Sequence, residues 1–334
     1  MLKKIVLGLI AVVVLLAAVG MLLPRQSHLQ RTVTIDRPAS LIYATVNSFQ
    51  RFPEWSPWQD LDPNMQQTVE GPREGVGAKL VWSGNDKVGT GTQVITTTVP
   101  NASVATDLNF GDMGTSKSLV KLDAAGASTK VTWSLDTDMG AGPIGRYFGL
   151  TMDGMVGKDF ARGLTKLKTL VEKLPNTDIA GFSAEIVELQ SQPVLFVTKS
   201  TGSDTPSITK AYAEAYAEIG KFMAKNKLRQ IGAPLGVDGA MTDNSYTFDA
   251  GMPVDRADIT TAGNVKFRAS YSGKALKTTH VGSYDNLGAT YQKLQTYAAA
   301  HGFNSSAATF SWYVDDPAHT PPETVRTEIY WPIK

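Results

Sequence analysis

From Gly77 to Asp138 the chain repeats one unit, a short stretch rich in threonine and valine followed by a glycine or polar turn. The stretches read GAKLVWSG, GTGTQVITTTVP, SVATDLNF, SKSLVKLDA and STKVTWSLDTD. Alternating β-branched residues, broken at short intervals by turn formers, specify neighbouring antiparallel strands. Directly afterwards LTMDGMVGKDFARGLTKLKTLVEKL changes period. Met152, Met155, Val156, Phe160, Leu164, Leu167 and Val171 recur there at helical spacing, which predicts one long amphipathic helix. One such helix laid on a curved antiparallel sheet makes a helix-grip arrangement, with a cavity between the two layers.

The first residues set a second constraint. MLKKIVLGLIAVVVLLAAVGMLLPRQ carries two lysines and then an uncharged apolar run from Ile5 to Leu23. At about 1.5 Å per residue, a helix of that length nearly matches a ~30 Å hydrocarbon core. A signal peptide has a shorter apolar region ending in a small-x-small cleavage site. Here the run continues through VGMLLP without one, so residues 1–24 are read as an uncleaved transmembrane anchor. Lys3 and Lys4 place the N-terminus in the cytoplasm, against an opposing bias from Arg25 and Arg31. The remainder then lies on the periplasmic or extracellular side of the cell membrane.

The 334 residues are enough for two domains. A net charge of +1 gives no electrostatic pull toward nucleic acid. Without cysteine, the chain has no disulfide, iron–sulfur or thiol chemistry. KLPNTDIAGFSAE, residues 173–185, follows the long helix and carries Pro175, Asn176 and Gly181, so it reads as a linker. The expected layout is an anchor at 1–24, a domain at 29–174, a linker at 175–182 and a second domain at 183–334. Within the first domain LIYATVNSF reads as a helix with Ser40 as N-cap, and RFPEWSPWQDLDP as an aromatic, proline-rich bend.

The second half alternates differently. EIVELQSQPVLFVTKS is strand material. A helix follows, with Ile208, Ala211, Ala215, Ile219 and Phe222 on one face. Further strands are NSYTFDAGMPV and NVKFRASYSGKALKTTHVG. A second helix turns Leu287, Tyr291, Leu294 and Ala298 inward, and ATFSWYVDDP and ETVRTEIYWPIK finish the sheet. Strand, helix, strands thus occurs twice. The fold class is α+β: a helix-grip sheet, then a duplicated strand–helix–strand domain, behind one N-terminal transmembrane helix.

Candidate chemistry is sparse. His28, His280, His301 and His319 form no close-spaced pair, so no metal site is expected, and His280 is read as orienting the turn at Gly282. Ser283 is placed to cap the following helix. HVGSYD lacks the Gly-x-Ser-x-Gly of a serine hydrolase. GAGPIG, residues 140–145, has dinucleotide-loop spacing but contains a proline and lacks the βαβ context, so no cofactor is expected. Glu328 is the sharpest candidate. Strand alternation puts it on one face with Arg326 and Tyr330, where a carboxylate beside rings suits an organic cation or acts as a general base. The same residue also fits an exposed strand glutamate paired with Arg326. Tyr284, Trp312, Tyr313 and Trp331 are placed either along a groove or in the core. Trp82 and Trp133 either face the first domain's cavity or fill its core.

TIDRPASLIYATVNSFQRFPEWSPW, GVGAKLVWSGNDKVGTGTQVI, TKVTWSL and GKDFARGLTKLK together resemble the SRPBCC superfamily, also called START-like or polyketide cyclase-like. The resemblance implies a hydrophobic ligand cavity and no particular reaction. FDAGMPV, GKALKTTHVGSYDNLGATYQKLQTYAAAHGF, YVDDP and TEIYWPI resemble the GyrI-like small-molecule-binding domain, the effector domain of AraC- and MerR-type regulators. That resemblance implies a groove between two repeats that takes lipophilic, often cationic, compounds. Such domains often carry a glutamate where this chain has Ser311, and no helix-turn-helix accompanies the domain here. The expected function is a membrane-anchored tandem binder of hydrophobic, amphipathic or cationic small molecules. Glu328, Tyr284, Tyr313, Trp312, Tyr330, Trp331, Trp82 and Trp133 are its expected ligand contacts. The alternatives are a hydrolase of small electrophiles using a groove glutamate, and a ligand sensor acting through a protein partner.

Overall fold

The computed structural model describes residues 1–111 and 114–334. The fold is α+β, and the chain divides into two compact units, one of Met1–Ala180 with Ala300–Gly302 and one of Gly181–Ala299 with Phe303–Lys334.

The first unit begins with α1 (Leu2–Leu22), a helix long and apolar enough to cross a membrane, on which Gly20 alone is buried. Strand β1 (Gln26–Ile35) follows, then the short helices α2 (Ala39–Val46) and α3 (Phe52–Trp55). The meander comprises β2 (Gln66–Glu70), β3 (Lys79–Ser83), β4 (Thr90–Val99), β5 (Ser103–Asn109), β6 (Thr115–Ala125) and β7 (Ser128–Asp138). These strands form one antiparallel sheet in the order β1-β7-β6-β5-β4-β3-β2. Helix α4 (Pro143–Glu172) grips it, mainly along β1. Pro143 in the first turn sacrifices no hydrogen bond, since those amides have no helical partner anyway. Met152, Phe160, Leu164, Leu167 and Val171 point into the core as their spacing predicts, but Met155 points out and is 57% exposed. Ser40 is not the cap of α2. Pro38 holds that position, and the Ser40 hydroxyl donates to Asp178 at 2.7 Å.

The second unit has two similar passages. The first is β8 (Glu185–Leu189), β9 (Pro193–Thr201), α5 (Thr205–Asn226), β10 (Leu235–Met241) and β11 (Tyr246–Pro253). The second is β12 (Lys266–Ala269), β13 (Gly273–Val281), α6 (Leu287–Ala300), β14 (Phe310–Tyr313) and β15 (Arg326–Pro332). The eight strands run β12-β9-β11-β10-β14-β15-β13-β8, so β10 and β14, one from each passage, meet in the middle. Asp204 caps α5 by accepting the Ser207 amide at 2.9 Å, and the helix stops at Lys227 in the left-handed region. Ala211, Ala215 and Ile219 of α5 bury against Leu195, Val197, Phe248 and Ala250. Leu294 and Ala298 of α6 bury against Leu276 and Ile329. Each helix therefore covers its own half of the sheet, and the central strands β10 and β14 lie between them.

Candidate ligand-binding site

Strand register decides what faces this central strip. Gly236 pairs with Ala250 on one side and Ser311 on the other, and Asp238 pairs with Phe248. Residues two apart share a face, so Gly236, Asp238, Phe248, Ala250, Ser311 and Tyr313 all face the helices. Tyr212 and Tyr216 reach the strip from α5 at i and i+4, and Tyr291 reaches it from α6. Tyr246 comes from β11, and Tyr284 from the single 3-10 turn ahead of α6. Six tyrosines thus surround one aspartate.

Ring contacts link the tyrosines into a wall. Tyr212 stacks on Phe248 at 3.8 Å between centroids, and Tyr246 stacks on the same ring at 5.3 Å. Tyr313 meets Tyr212 edge-on at 5.6 Å and Tyr284 edge-on at 5.8 Å. Gly236 makes the close packing possible, because a β-carbon there would collide with the Tyr212 hydroxyl. The polar ends converge. Tyr246 donates its hydroxyl to Asp238 Oδ1 at 2.6 Å, Tyr216 donates to the Leu235 carbonyl at 3.0 Å, and Tyr291 shares a 2.6 Å hydrogen bond with the Ser311 hydroxyl.

Burial among rings pushes the Asp238 carboxyl up to about 6, with the Tyr246 and Tyr291 hydroxyls holding it from rising further. The same desolvation pushes Tyr212, Tyr216, Tyr246, Tyr291 and Tyr313 above the usual phenol value. At neutral pH the phenols are therefore uncharged, and Asp238 carries the cluster's one negative charge. Asp238 keeps some solvent-accessible surface, as do all the tyrosines except the buried Tyr246. Near Tyr284, Asp315 and Asp316 add negative charge, and Asp315 is tied to Arg326 at 2.8 Å. A partly accessible carboxylate set among tyrosine rings is chemically suited to an organic cation.

The structure separates the residues expected at one site into three groups. Tyr284 and Tyr313 come together in the tyrosine cluster. Glu328, Tyr330 and Trp312 lie on the opposite face of the sheet. There Glu328 binds Lys277 Nζ at 2.8 Å and accepts the Tyr330 hydroxyl at 2.6 Å, while Tyr330 stacks on Phe310 at 5.0 Å. Those hydrogen bonds and the Lys277 charge outweigh partial burial and hold the Glu328 carboxyl below its usual value. Trp331 faces the helices but packs into the core under α6 with Leu276 and Leu294. Asp238, Tyr212, Tyr216, Tyr246 and Tyr291 carry the cluster without having been singled out in the sequence. The signal for two of them was the pair of tyrosines one helical turn apart in KAYAEAYAEIG.

The turn at Gly282 supports this cluster. Gly282 adopts φ 136°, open to glycine and strained for other residues. His280 is buried beneath it, with Nδ1 2.8 Å from the Thr290 hydroxyl and Nε2 3.1 Å from the Ser283 carbonyl. Ser283 accepts the Asp285 amide at 3.3 Å, and Tyr284 is thereby held toward Tyr313. Among the described residues, no three His, Asp or Glu side chains converge as metal ligands.

In the first unit the expected hydrophobic cavity is nearly filled. Trp133 stacks on Phe160 of α4 at 4.0 Å, and Trp55 and Trp58 close on it edge-on at 5.3 and 5.9 Å. The Trp133 indole donates to the Ser118 hydroxyl at 2.8 Å, and the residue is 3% exposed. What remains is a space of about 20 Å³ lined by Phe49, Phe52, Trp55, Gln93, Thr106 and Trp133, among others. That volume holds about one water and no organic ligand. Trp82 packs over Gly91 against Phe110, outside this lining.

Residues 26–172 match the family model for polyketide cyclase / dehydrase and lipid transport. Residues 183–334 match the model for the GyrI-like small molecule binding domain. No curated protein matches the chain. Solved structures similar to it include the EcmrR C-terminal domain, at 18% identity over 46% of this chain and 97% of that one, with a TM-score of 0.41. A hydrolase from Listeria innocua aligns at 15% identity over 46% and 92%, with a TM-score of 0.36. The structure of SAV2435 bound to tetraphenylphosphonium aligns at 16% identity over 46% and 94%, with a TM-score of 0.34. The two halves of the chain thus match two families, polyketide cyclase-like ahead of GyrI-like, both described by the binding or conversion of small molecules.

Proposed function

We propose that the protein binds a lipophilic organic cation in the tyrosine cluster of its second unit, with Asp238 as counter-charge, while α1 anchors it in a membrane. The observation that carries this reading is the carboxyl of Asp238, raised to about 6 by burial and bonded to Tyr246 within a ring of tyrosines. Ring faces attract a cation, and a desolvated carboxylate regains favourable electrostatics when one arrives. The family description of residues 183–334 supports a small-molecule ligand. The first unit, with its aromatic core closed around Trp133, supports the fold rather than a second ligand in this conformation. In this reading Lys3 and Lys4 mark the cytoplasmic end of α1, and both units lie beyond the membrane. Isothermal titration with a flat aromatic cation such as an N-methylacridinium salt tests the binding. Saturable heat in the wild type that disappears in Asp238→Asn supports it, and equal heats in both proteins refute it.

A second reading follows from the same pKa. A carboxyl near 6 is well matched to general-base work near neutrality. Asp238 would take a proton from water attacking a small strained electrophile such as an epoxide, and the neutral Tyr291 hydroxyl would protonate the leaving oxygen. Steady diol formation from an aryl epoxide, lost in Asp238→Asn, separates this hydrolase from a binder.

A further inference from the structure

We infer that the outward face of the first half of α4 lies in the surface of the membrane that α1 enters, so that the first unit is seated on the bilayer as well as tethered to it. The inference rests on reading α1 as an anchor and adds a second membrane contact to that reading.

Four large apolar side chains in the first turns of α4 face solvent: Ile144 at 84%, Phe148 at 51%, Leu150 at 61% and Met155 at 57% exposure. Ile144, Phe148 and Met155 are spaced i, i+4 and i+11, and with the exposed Thr151 at i+7 they form one stripe along the helix. The opposite side of α4 is committed to the core through Gly157, Phe160 and Leu164. A contiguous exposed apolar stripe on a domain surface marks an interaction site.

The position of the stripe identifies the occupant. Helix α1 touches the rest of its unit through its last turns, and what it touches is the start of α4. A β-carbon at Gly20 would lie 2.6 Å from Pro143 Cβ and 2.7 Å from the Tyr147 ring, so bare Gly20 admits this crossing. The Tyr147 hydroxyl donates to the Leu16 carbonyl at 2.9 Å. Arg146 donates to the Met21 and Leu23 carbonyls, supplying partners to the end of α1 where helical ones run out. Leu16 lies seven residues before the apolar run ends at Leu23, about 10 Å along the helix axis. The first turn of α4 therefore runs beside the last two turns of the apolar helix, at the depth of headgroups and upper acyl chains. Tyrosine and arginine are the residues suited to that depth, the one amphipathic and the other able to extend its charge toward water. On the helical wheel, the exposed stripe adjoins the side of α4 that meets α1. An apolar helix face at that level is covered by lipid.

The test uses the full-length protein and exploits its lack of cysteine. Single cysteines replace Val12, Phe148, Met155 and Val99, each is spin-labelled, and the proteins are reconstituted in phosphatidylcholine–phosphatidylglycerol vesicles. Val99 is 49% exposed and lies level with Thr32 through the strand pairing, six residues or about 20 Å along β1 from the end nearest α1. Labels at 12, 148 and 155 are expected to relax more with oxygen than with a water-soluble nickel chelate, and the label at 99 the reverse. If 148 and 155 behave like 99 while 12 remains lipid-accessible, the seating is overturned and the anchor stands. A mature chain lacking α1 by intact mass overturns both. Dipolar broadening at 148 between neighbouring molecules overturns the lipid contact and gives the stripe to a second copy of the chain.

Discussion

The Tyr246 hydroxyl donates to Asp238 Oδ1 across 2.6 Å, joining adjacent strands β11 and β10 at the middle of the second unit's sheet. The bond keeps a carboxylate ionisable in a place that otherwise disfavours charge, and the neighbouring tyrosines supply rings but no counter-cation. A guest cation would complete the arrangement.

Asp238→Asn is expected to weaken binding of a permanent organic cation by at least about tenfold, or ~1.4 kcal/mol. The amide retains an acceptor for Tyr246, so the fold survives. Melting of the variant at pH 7.5 is expected at or above the wild-type temperature, because a desolvated charge has been removed. Titration calorimetry and thermal melts on the same samples check both halves of this expectation.

The pH dependence has two opposite parts. Cation binding weakens as pH falls through about 6, where Asp238 takes up its proton. Stability moves the other way. The folded carboxyl holds its proton to about 6, the unfolded one only to about 3.8, so between these values the folded state binds more protons. This group's contribution is therefore greatest below pH 4, is lost as pH rises from about 4 to about 6, and levels off above that. A shift of about two units corresponds to about 3 kcal/mol at most. Urea unfolding at pH 4.5 and 7.5 is expected to show wild type losing ground to Asp238→Asn at the higher pH, and a constant gap would refute the assignment.

Tyr284→Ala removes the ring at the rim while leaving the strands intact. The loss of one partly exposed ring face predicts a threefold to thirtyfold weaker cation affinity, about 0.7–2 kcal/mol, with little change in melting temperature. Fluorescence or calorimetric titration gives the first number and circular dichroism the second.

Glu328→Gln is expected to leave cation binding unchanged, because Glu328 faces the other side of the sheet and already has Lys277 and Tyr330 as partners. Its effect on stability is expected to stay within about 1 kcal/mol, as for other partly exposed pairs. A loss of affinity comparable to that of Asp238→Asn would move the site to the opposite face.

Trp133→Ala empties the centre of the first unit's aromatic cluster and is expected to cost about 3–5 kcal/mol. The resulting void is lined mainly by rings, so indole added to the variant is expected to restore part of the lost melting temperature. No rescue would mean that the cluster collapses into the space.

Both folds were legible where pattern and burial coincide. The Thr/Val meander and the Phe160–Leu164–Leu167–Val171 stripe read correctly because every residue involved serves one packed interface. Met155 did not, because an apolar residue at helical spacing looks the same whether it meets a core or an outside apolar partner. Of the six tyrosines only Tyr284 and Tyr313 stood out as candidates, and the charge among them did not. Strand β10 reads LGVDGAM, where two glycines and an aspartate resemble a turn. Only its pairing with β11 and β14 turns Asp238 toward the rings. Glu328 drew notice because its strand alternates cleanly, yet alternation alone does not say which face the helices cover.

The bare backbone at Gly236 lets Tyr212 lie down on the sheet. The central strip is therefore paved rather than hollow, and a visiting molecule would have to exchange places with a side chain instead of dropping into a void. Selectivity in such a place follows from how well a guest imitates a tyrosine face while bringing the positive charge that tyrosine lacks. Flat, delocalised cations are then favoured over bulky ones of equal greasiness.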